Sequence, residues 1–293
     1  MGRQGHDRTT KGRRMDAKQL IMKAELTEAR QALIQGVKKA PGDPVPRTHL
    51  FQVLLFLGEW DKALVHLNAL AKGNPMAKGA EAADMGREVY TGLIRAEQER
   101  TAVAELRKEP SFLPGRPGYT DLYFKALEAA IQGNKEVAAD LYQKIEATKP
   151  LISGTINTEA FSGFSDTDTL LNGFLEAMEY DRYLWIPFEA IREITVQSPR
   201  TLIDLIWAKG SVTTWEGLTM ACFFPVLYPL SHCHTDHRVK MGRMTDWQPL
   251  GGPYARAWGQ HVFQIGERDI SLLEIETVVF NMPVPKNKEE HCD

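Results

Sequence analysis

The N-terminal half of the sequence repeats one short pattern. The segments AELTEA, GEWDKA and GNKEVA each begin with a small residue and end in alanine five positions later, at Ala29, Ala63 and Ala138. Ala63 follows Ala29 by 34 positions, and Ala138 follows Ala63 by 75, which is two periods plus seven. A large residue stands four positions after each alanine and a proline stands twelve positions after it: Leu33, Leu67 and Tyr142, then Pro41, Pro75 and Pro150.

This pattern is typical of tetratricopeptide repeats. The small residue suits the tight turn between two helices, the alanine suits the place where they touch, and the proline stops the second helix. Such repeats stack into a curved array whose concave face holds a peptide or a helix. A plain helical bundle is the alternative, because helical hairpins are common in all-α proteins.

The C-terminal half changes to the alternating pattern of strands. REITV alternates, and SVTTWEGLTMACFFPV predicts a hairpin that turns at Glu216 and Gly217. HVFQIGERDISLLEIETVVF predicts a second hairpin around Gly266 and Glu267. Between the two halves, LISGTINTEAFSGFSD predicts a linker or surface loop, and DTDTLLNGFLEAMEY predicts one helix.

We therefore predict an α+β fold, with an N-terminal tetratricopeptide-like helical repeat domain followed by a smaller, mainly antiparallel β domain. Residues 1–15 are expected to form a disordered basic extension, and 16–150 the helical domain. An α+β domain with antiparallel strands is expected over 151–282, and a disordered tail over 283–293.

Composition narrows the class of partner. The chain is 43% hydrophobic and 25% charged, with a formal net charge of -3, so neither nucleic acid nor a membrane surface is an expected partner. No apolar stretch has the length of a secretory signal or a membrane span. Three widely spaced cysteines fit a reducing compartment, and we expect a cytoplasmic protein.

The segment SHCHTDH offers candidate metal ligands at His232, His234 and His237. Imidazole is a common zinc ligand, but no second cluster with ligand spacing and no HExxH pattern accompanies it. A solvated loop is the favoured interpretation, and no metal or cofactor is predicted. A metal-dependent hydrolase that uses these histidines with Asp166 is the alternative.

Asp166 and Asp168 raise a second catalytic possibility, a carboxylate pair for acid–base hydrolysis. Capping of the predicted helix is the favoured interpretation, because carboxylates accept hydrogen bonds from the first free N–H groups of a helix. The sequence carries neither a GxSxG nucleophile elbow nor a phosphate-binding glycine loop. No catalytic residues are therefore predicted.

The aromatic segment YDRYLWIPF at residues 180–188 is the most unusual stretch. It fits either the hinge between the two domains or a binding surface, since Tyr, Trp and Arg are common anchors of interfaces. Asp181, Tyr183 and Trp185 are candidate partner-binding residues in this stretch, together with Trp60 on the repeat surface.

Five blocks occur in a familiar order. They are RTHLFQVLLFLGEWDKALVHLNALA, DTDTLLNGFLEAMEYDRYLWIPFEAIREI, LIDLIWAKGSV, PVLYPLS and MTDWQPLGG. With them the chain resembles the ImpE family, also called SciE or TagJ, over about residues 16–280. The block from Tyr183 to Phe188 is the most specific of these motifs.

The resemblance implies a cytoplasmic, non-enzymatic accessory protein of bacterial type VI secretion. Members are associated with the contractile sheath. They are thought to bind the N-terminal helix of the small sheath subunit, TssB, and so to influence sheath disassembly by the ClpV ATPase. The family pattern has no histidine cluster in the SHCHTDH loop. A chaperone for a secreted effector is a further alternative that the same repeat surface suits.

Overall fold

The computed structural model of the chain describes residues 15–71, 80–252 and 254–284. The helical half lies first along the chain. Its α-helices are α1 (Ala17–Met22), α2 (Leu26–Lys39), α3 (Pro44–Phe56), α4 (Trp60–Ala71), α5 (Ala80–Ala104), α6 (Thr120–Ile131) and α7 (Lys135–Thr148).

Six of these helices pair into the hairpins α1–α2, α3–α4 and α6–α7. Between the helices of each hairpin stands one residue with a positive φ: Ala24 at 60°, Gly58 at 67° and Gly133 at 81°. This left-handed conformation is the usual end of a helix and favours residues with little or no side chain. These are the small residues with which the repeated segments begin, so the turns lie where the pattern predicts.

The repeated alanines lie inside the hairpins. Ala29, Ala63 and Ala138 are buried, and so are the large residues four positions later. Pro41 and Pro150 follow the ends of α2 and α7, as expected of residues that stop a helix. Pro75 lies outside the described residues, as do residues 1–14 and 285–293, for which disorder was expected.

The strands follow, apart from one early pair of residues. They are β1 (Ser111–Phe112), β2 (Ser153–Ile156), β3 (Glu159–Ser162), β4 (Phe164–Asp166), β5 (Phe174–Glu179), β6 (Arg182–Pro187), β7 (Ile191–Val196), β8 (Trp207–Thr214), β9 (Thr219–Pro225), β10 (Thr245–Gly251), β11 (Tyr254–Gly259), β12 (Val262–Ile265), β13 (Arg268–Ser271) and β14 (Thr277–Phe280). A short helix, α8 (His237–Lys240), lies between β9 and β10.

The strands form three sheets. The largest has nine strands in the order β1-β6-β5-β9-β8-β7-β14-β2-β3, and the others are β10-β11 and β13-β12-β4. The pairings are antiparallel except for β1, which runs parallel to β6. The α+β class is therefore confirmed, with helices first and mainly antiparallel strands after them.

Both predicted hairpins are present. Strands β8 and β9 join through Gly217, and β12 and β13 join through Gly266, each with a positive φ at the glycine. The prediction of one helix from DTDTLLNGFLEAMEY was wrong. The segment ends β4, passes through a turn, and forms β5, whose residues from Phe174 to Met178 are all buried. A strand covered on both faces reads as a continuous apolar run, which imitates a helix.

The prediction of a loop for LISGTINTEAFSGFSD was also wrong, because the segment forms β2, β3 and β4. Its many Gly, Ser and Thr residues suggested a loop, yet Ile156, Phe161 and Phe164 are buried between them. Each of these residues lies in a different strand, and in β2 and β4 buried positions alternate with more exposed ones, which is the pattern of half-buried strands. The high content of Gly, Ser and Thr in this segment therefore led to the wrong prediction of a loop.

The nine-stranded sheet is covered on both faces. Along β6, Tyr183 and Trp185 join the apolar cluster shared with the helices, whereas Leu184 and Ile186 join a second cluster. Alternate residues of a strand point to opposite faces, so the helices cover one face of the sheet. Burial of each large apolar side chain stabilises the fold by about 1.5–3 kcal/mol.

Candidate binding groove

A groove with a volume of about 780 Å³ lies where α7 meets the two smaller sheets. Its walls come from separate parts of the chain, including the end of α7, strand β4, the hairpin β10–β11 and the hairpin β12–β13. Its lining includes Tyr142, Glu146, Lys149, Asn172, Glu189, Trp247, Tyr254 and Asp269.

Aromatic side chains form one part of the groove. The rings of Tyr142 and Tyr254 lie 4.3 Å apart between centroids at an angle of 36°. Trp247 is 41% exposed, and its Nε1 donates a hydrogen bond of 3.1 Å to Oγ1 of Thr167. This bond fixes the edge of the indole and leaves part of the ring accessible in the groove.

Acidic side chains form another part. Four acidic residues line the groove, Glu146, Asp166, Glu189 and Asp269, together with one ammonium group, that of Lys149. Lys149 Nζ lies 2.8 Å from Glu146 Oε1 and also donates to Asn172 Oδ1, so its charge is balanced within the groove. Glu189 and Asp269 therefore leave the groove with an excess of negative charge.

Glu189 is held in position by Tyr119, whose hydroxyl donates to Glu189 Oε1 at 2.6 Å. Burial and the Glu189 carboxylate together raise the pKa of Tyr119, which keeps the hydroxyl protonated as a donor. Asp269 lies on β13 and is exposed. One acid is thus fixed by its neighbour and the other is open to solvent.

The turn between β4 and β5 is organised by Asp166 and Asp168. Asp168 accepts hydrogen bonds from the N–H of Leu170 and of Ala257, both at 2.7 Å, and pairs with Arg256 Nε at 3.1 Å. Asp166 Oδ1 accepts a hydrogen bond of 2.8 Å from the N–H of Asp168. The helix-capping prediction was wrong because no helix follows, although both carboxylates do bind nearby backbone N–H groups.

Behind the groove wall lies a chain of buried charges, Asp166, His261, Glu176 and Arg100. His261 Nδ1 lies 2.9 Å from Asp166 Oδ2, and its Nε2 lies 2.9 Å from Glu176 Oε2. Arg100 from α5 binds Glu176 in bidentate fashion, at 2.8 Å through Nε and 2.5 Å through Nη2. Negative and positive groups therefore alternate from the helical half into the strands.

This arrangement shifts the pKa of its members. Burial alone would lower the pKa of His261, but Asp166 and Glu176 raise it to about 9. Burial alone would raise the pKa of Glu176, but Arg100 and His261 lower it to about 2. Near neutral pH, His261 is a cation and Glu176 an anion, which makes the network a set of satisfied ion pairs.

The three histidines of the SHCHTDH loop face three different partners. The ring of His232 packs edge-on against Trp60, with centroids 5.8 Å apart. His234 Nε2 lies 3.2 Å from Asp246 Oδ2. His237 Nδ1 accepts the N–H of Leu26, the first residue of α2, at 3.2 Å. Within the described residues, no group of three His, Cys, Asp or Glu side chains could hold a metal ion.

Asp166 is also separated from these histidines by its role in the buried network. Its second oxygen accepts the hydroxyl of Tyr228 at 2.7 Å, and its neighbour in the network is His261. The set of residues suggested for a metal-dependent hydrolase is therefore not brought together.

The predicted partner-binding residues have different surroundings. Trp60 is half-buried against His232, and Asp181 is exposed with Oδ2 3.8 Å from Arg95 Nη1. Tyr183 and Trp185 are 1% and 0% exposed. They present no surface to a partner because β6 is covered on both faces, and a partner would have to open the core to reach them.

Sequence reasoning missed the residues of the groove. Trp247 and Tyr254 lie in and beside the block MTDWQPLGG, which was noted as a family motif and not as a site. A tryptophan next to a run of polar residues in a strand was the available signal. The sequence alone does not predict that these aromatic residues share a groove with Glu189 and Asp269, because the four residues come together only in the folded chain.

Among the described helices, none has both the length and the apolar character needed to cross a membrane. Residues 158–279 match the family model of the ImpE protein. The chain is also 27% identical over 270 residues to TagJ of Pseudomonas aeruginosa, described as a type VI secretion system accessory component, with 91% of each chain covered.

A solved crystal structure of a protein from Vibrio parahaemolyticus has the same fold. It superposes with a TM-score of 0.76 at 19% identity, over 90% of this chain and 97% of that chain. Strands β3 to β13 lie within the matched residues, which also contain Glu189, Asp269 and the exposed Trp247 of the groove. The resemblance stated from the sequence is therefore confirmed: residues 158–279 match the ImpE family model, and the similarity to TagJ covers 91% of the chain.

Proposed function

We propose that this chain is a cytoplasmic, non-enzymatic accessory component of a type VI secretion system. It binds the N-terminal helix of the small sheath subunit, TssB, and so modulates disassembly of the contractile sheath by the ClpV ATPase. The observation that carries this proposal is the 27% identity to TagJ over 91% of both chains, together with the ImpE domain.

The fold supports a binding role. Helical hairpins with a shared turn residue and a shared contact alanine are the building units of tetratricopeptide arrays, and we propose that α1–α4 and α6–α7 are such repeats. Arrays of this kind hold peptides and helices in concave surfaces. The buried histidine and carboxylates of the network are fully engaged with one another, which suits a structural role better than catalysis.

We place the partner helix in the groove between α7 and the two small sheets. The groove has aromatic walls, a partly exposed tryptophan and acidic groups, the features that anchor protein interfaces. Of the contacts predicted from the sequence, Trp60 and Asp181 retain accessible surface and are proposed as additional contacts outside the groove.

Calorimetric titration tests the proposal. The full chain is titrated with a synthetic peptide of the N-terminal helix of the small sheath subunit from the same organism. Saturable one-to-one binding is expected, and a peptide of the same composition in scrambled order serves as the control. No heat at three temperatures, with circular dichroism showing a folded protein, would overturn the proposal.

Substitutions then locate the site. Trp247→Ala is expected to weaken peptide binding, because it removes the exposed ring of the groove. Trp60→Ala and Asp181→Ala test the proposed additional contacts separately. If only the last two variants lose affinity while Trp247→Ala binds normally, the helix lies outside the groove and the groove placement is wrong.

A further inference from the structure

We infer that the groove binds a protein segment through a lysine or arginine side chain, which lies over the exposed aromatic surface and between Glu189 and Asp269. The inference rests on the proposed function only in taking the groove as the site of the partner. It adds the charge of the partner, which neither the ImpE domain nor the similarity to TagJ specifies.

The charge of the groove is the first argument. Three carboxylates and one ammonium group line it in addition to Asp166, whose charge is matched by His261 behind the wall. Lys149 is paired with Glu146 and hydrogen-bonded to Asn172, so it offers no free cation to an anionic ligand. The remaining carboxylates, Glu189 and Asp269, give the groove the potential of a cation site.

The fixed position of Glu189 is the second argument. Tyr119 donates to one oxygen of this carboxylate at 2.6 Å, and the side chain is half-buried. A partly desolvated carboxylate attracts a cation more strongly than one in free solvent, because the local dielectric is lower. The hydrogen bond from Tyr119 already restricts the Glu189 side chain, so binding costs less side-chain conformational entropy than it would for an unrestrained carboxylate.

The aromatic rings are the third argument. Trp247 and Tyr254 lie on the paired strands β10 and β11 and line the same groove as the acids. The face of an aromatic ring attracts a cation, and indole does so most strongly. The aliphatic stem of Lys or Arg also packs on apolar rings while its charged end reaches polar groups. A groove with aromatic rings and carboxylates fits a lysine or arginine side chain better than it fits a purely apolar or an acidic side chain.

The test uses decalysine as the probe and decaglutamate as its opposite. Both are titrated into the full chain at about 20 mM and about 200 mM salt, since screening separates contacts between charges from other contacts. The test variant is Asp269→Asn with Glu189→Gln, which removes two charges and leaves an oxygen in place of each carboxylate. Glu216→Gln is the matched control, because Glu216 is exposed in the β8–β9 turn and does not line the groove.

Saturable decalysine binding is expected for the wild type. The double variant should bind about tenfold more weakly at low salt, while the control stays within about twofold of the wild type. The difference should shrink at high salt. Equal affinities for wild type and double variant, absence of decalysine binding, or preferential binding of decaglutamate would each overturn the inference.

The same variants distinguish this inference from the proposed function. The small-sheath-subunit peptide is titrated in parallel. Groove-dependent binding of decalysine without binding of the sheath peptide would leave the inference standing and remove the proposed function. Sheath-peptide binding that is unchanged in the double variant would leave the proposed function standing and remove the inference. A wild-type dimer in sedimentation that the double variant loses would assign a second copy as the occupant, and the partner proposal would be wrong.

Discussion

His261 lies between two carboxylates, with its Nδ1 2.9 Å from Asp166 Oδ2 and its Nε2 2.9 Å from Glu176 Oε2. All three side chains are buried, so each charge depends on its neighbour for compensation. Arg100 continues the chain of charges from Glu176 into helix α5. The network therefore connects the helical half of the molecule with the strands that wall the groove.

Stability is expected to depend on pH through His261. Its pKa is raised from 6.5 to about 9, so its contribution is fully present below pH 6.5 and is lost as pH rises to about 9. The free energy of unfolding of the wild type should fall by about 3 kcal/mol over this range relative to His261→Gln. Urea unfolding at a series of pH values measures it, with His49→Gln, at a histidine of α3 outside the network, as the control. Parallel curves for wild type and His261→Gln would contradict the prediction.

Loss of Arg100 is expected to be severe. Arg100→Ala leaves Glu97 buried without its cation and Glu176 with His261 as its remaining cationic partner, which costs about 3–5 kcal/mol. Arg107→Ala is the matched control, because its ion pair with Glu105 is exposed and contributes at most about 1 kcal/mol. Urea unfolding at neutral pH compares the two. Similar losses in both variants would show that the buried network does not depend on Arg100.

The elements with strong local signals were predictable from the sequence. The small residues at Ala24, Gly58 and Gly133 mark the helical turns, and Gly217 and Gly266 mark the hairpins, because a positive φ restricts the choice of residue. Strand β5 was not predictable in this way. Its apolar run results from burial on both faces, which only the complete sheet determines.

The candidate site was less predictable than the fold. The presence of a tryptophan in the sequence does not show whether its side chain is buried or exposed. The sequence therefore suggests the buried Trp185 as a binding residue and gives no such indication for the exposed Trp247. Trp185 lies in β6, a buried strand of the nine-stranded sheet, and Trp247 lies on a two-stranded hairpin outside that sheet. The groove joins residues more than a hundred positions apart in sequence, such as Tyr142 and Tyr254, and no local pattern relates them.

Tyr142→Phe is expected to stabilise the chain. The hydroxyl of Tyr142 is buried and has no hydrogen-bond partner among the described residues, so its removal relieves a desolvation cost of about 1–3 kcal/mol. Tyr123→Phe is the opposite case, because its hydroxyl donates to Thr169 O at 2.8 Å, and about 1 kcal/mol should be lost. The two melting temperatures should move in opposite directions. A loss of stability in Tyr142→Phe would indicate that its hydroxyl is bonded in solution.

Gly58 is expected to be the most sensitive of the repeat turns. It has a φ of 67°, and a Cβ at this position would lie 2.3 Å from Cδ2 of His232. Gly133 has a φ of 81° but no atom within 4 Å of such a Cβ. Gly133→Ala should therefore cost only the backbone strain, about 1–2 kcal/mol, whereas Gly58→Ala adds a clash with the loop that packs on Trp60.

Urea unfolding of Gly58→Ala, Gly133→Ala and Gly42→Ala separates these contributions. Gly42 has no positive φ and no neighbour within 4 Å, so its variant should differ little from the wild type. If Gly58→Ala also carries His232→Ala, the clash is removed and the cost should fall toward that of Gly133→Ala. A double variant as unstable as the sum of its single changes would mean that His232 and Gly58 are not in contact.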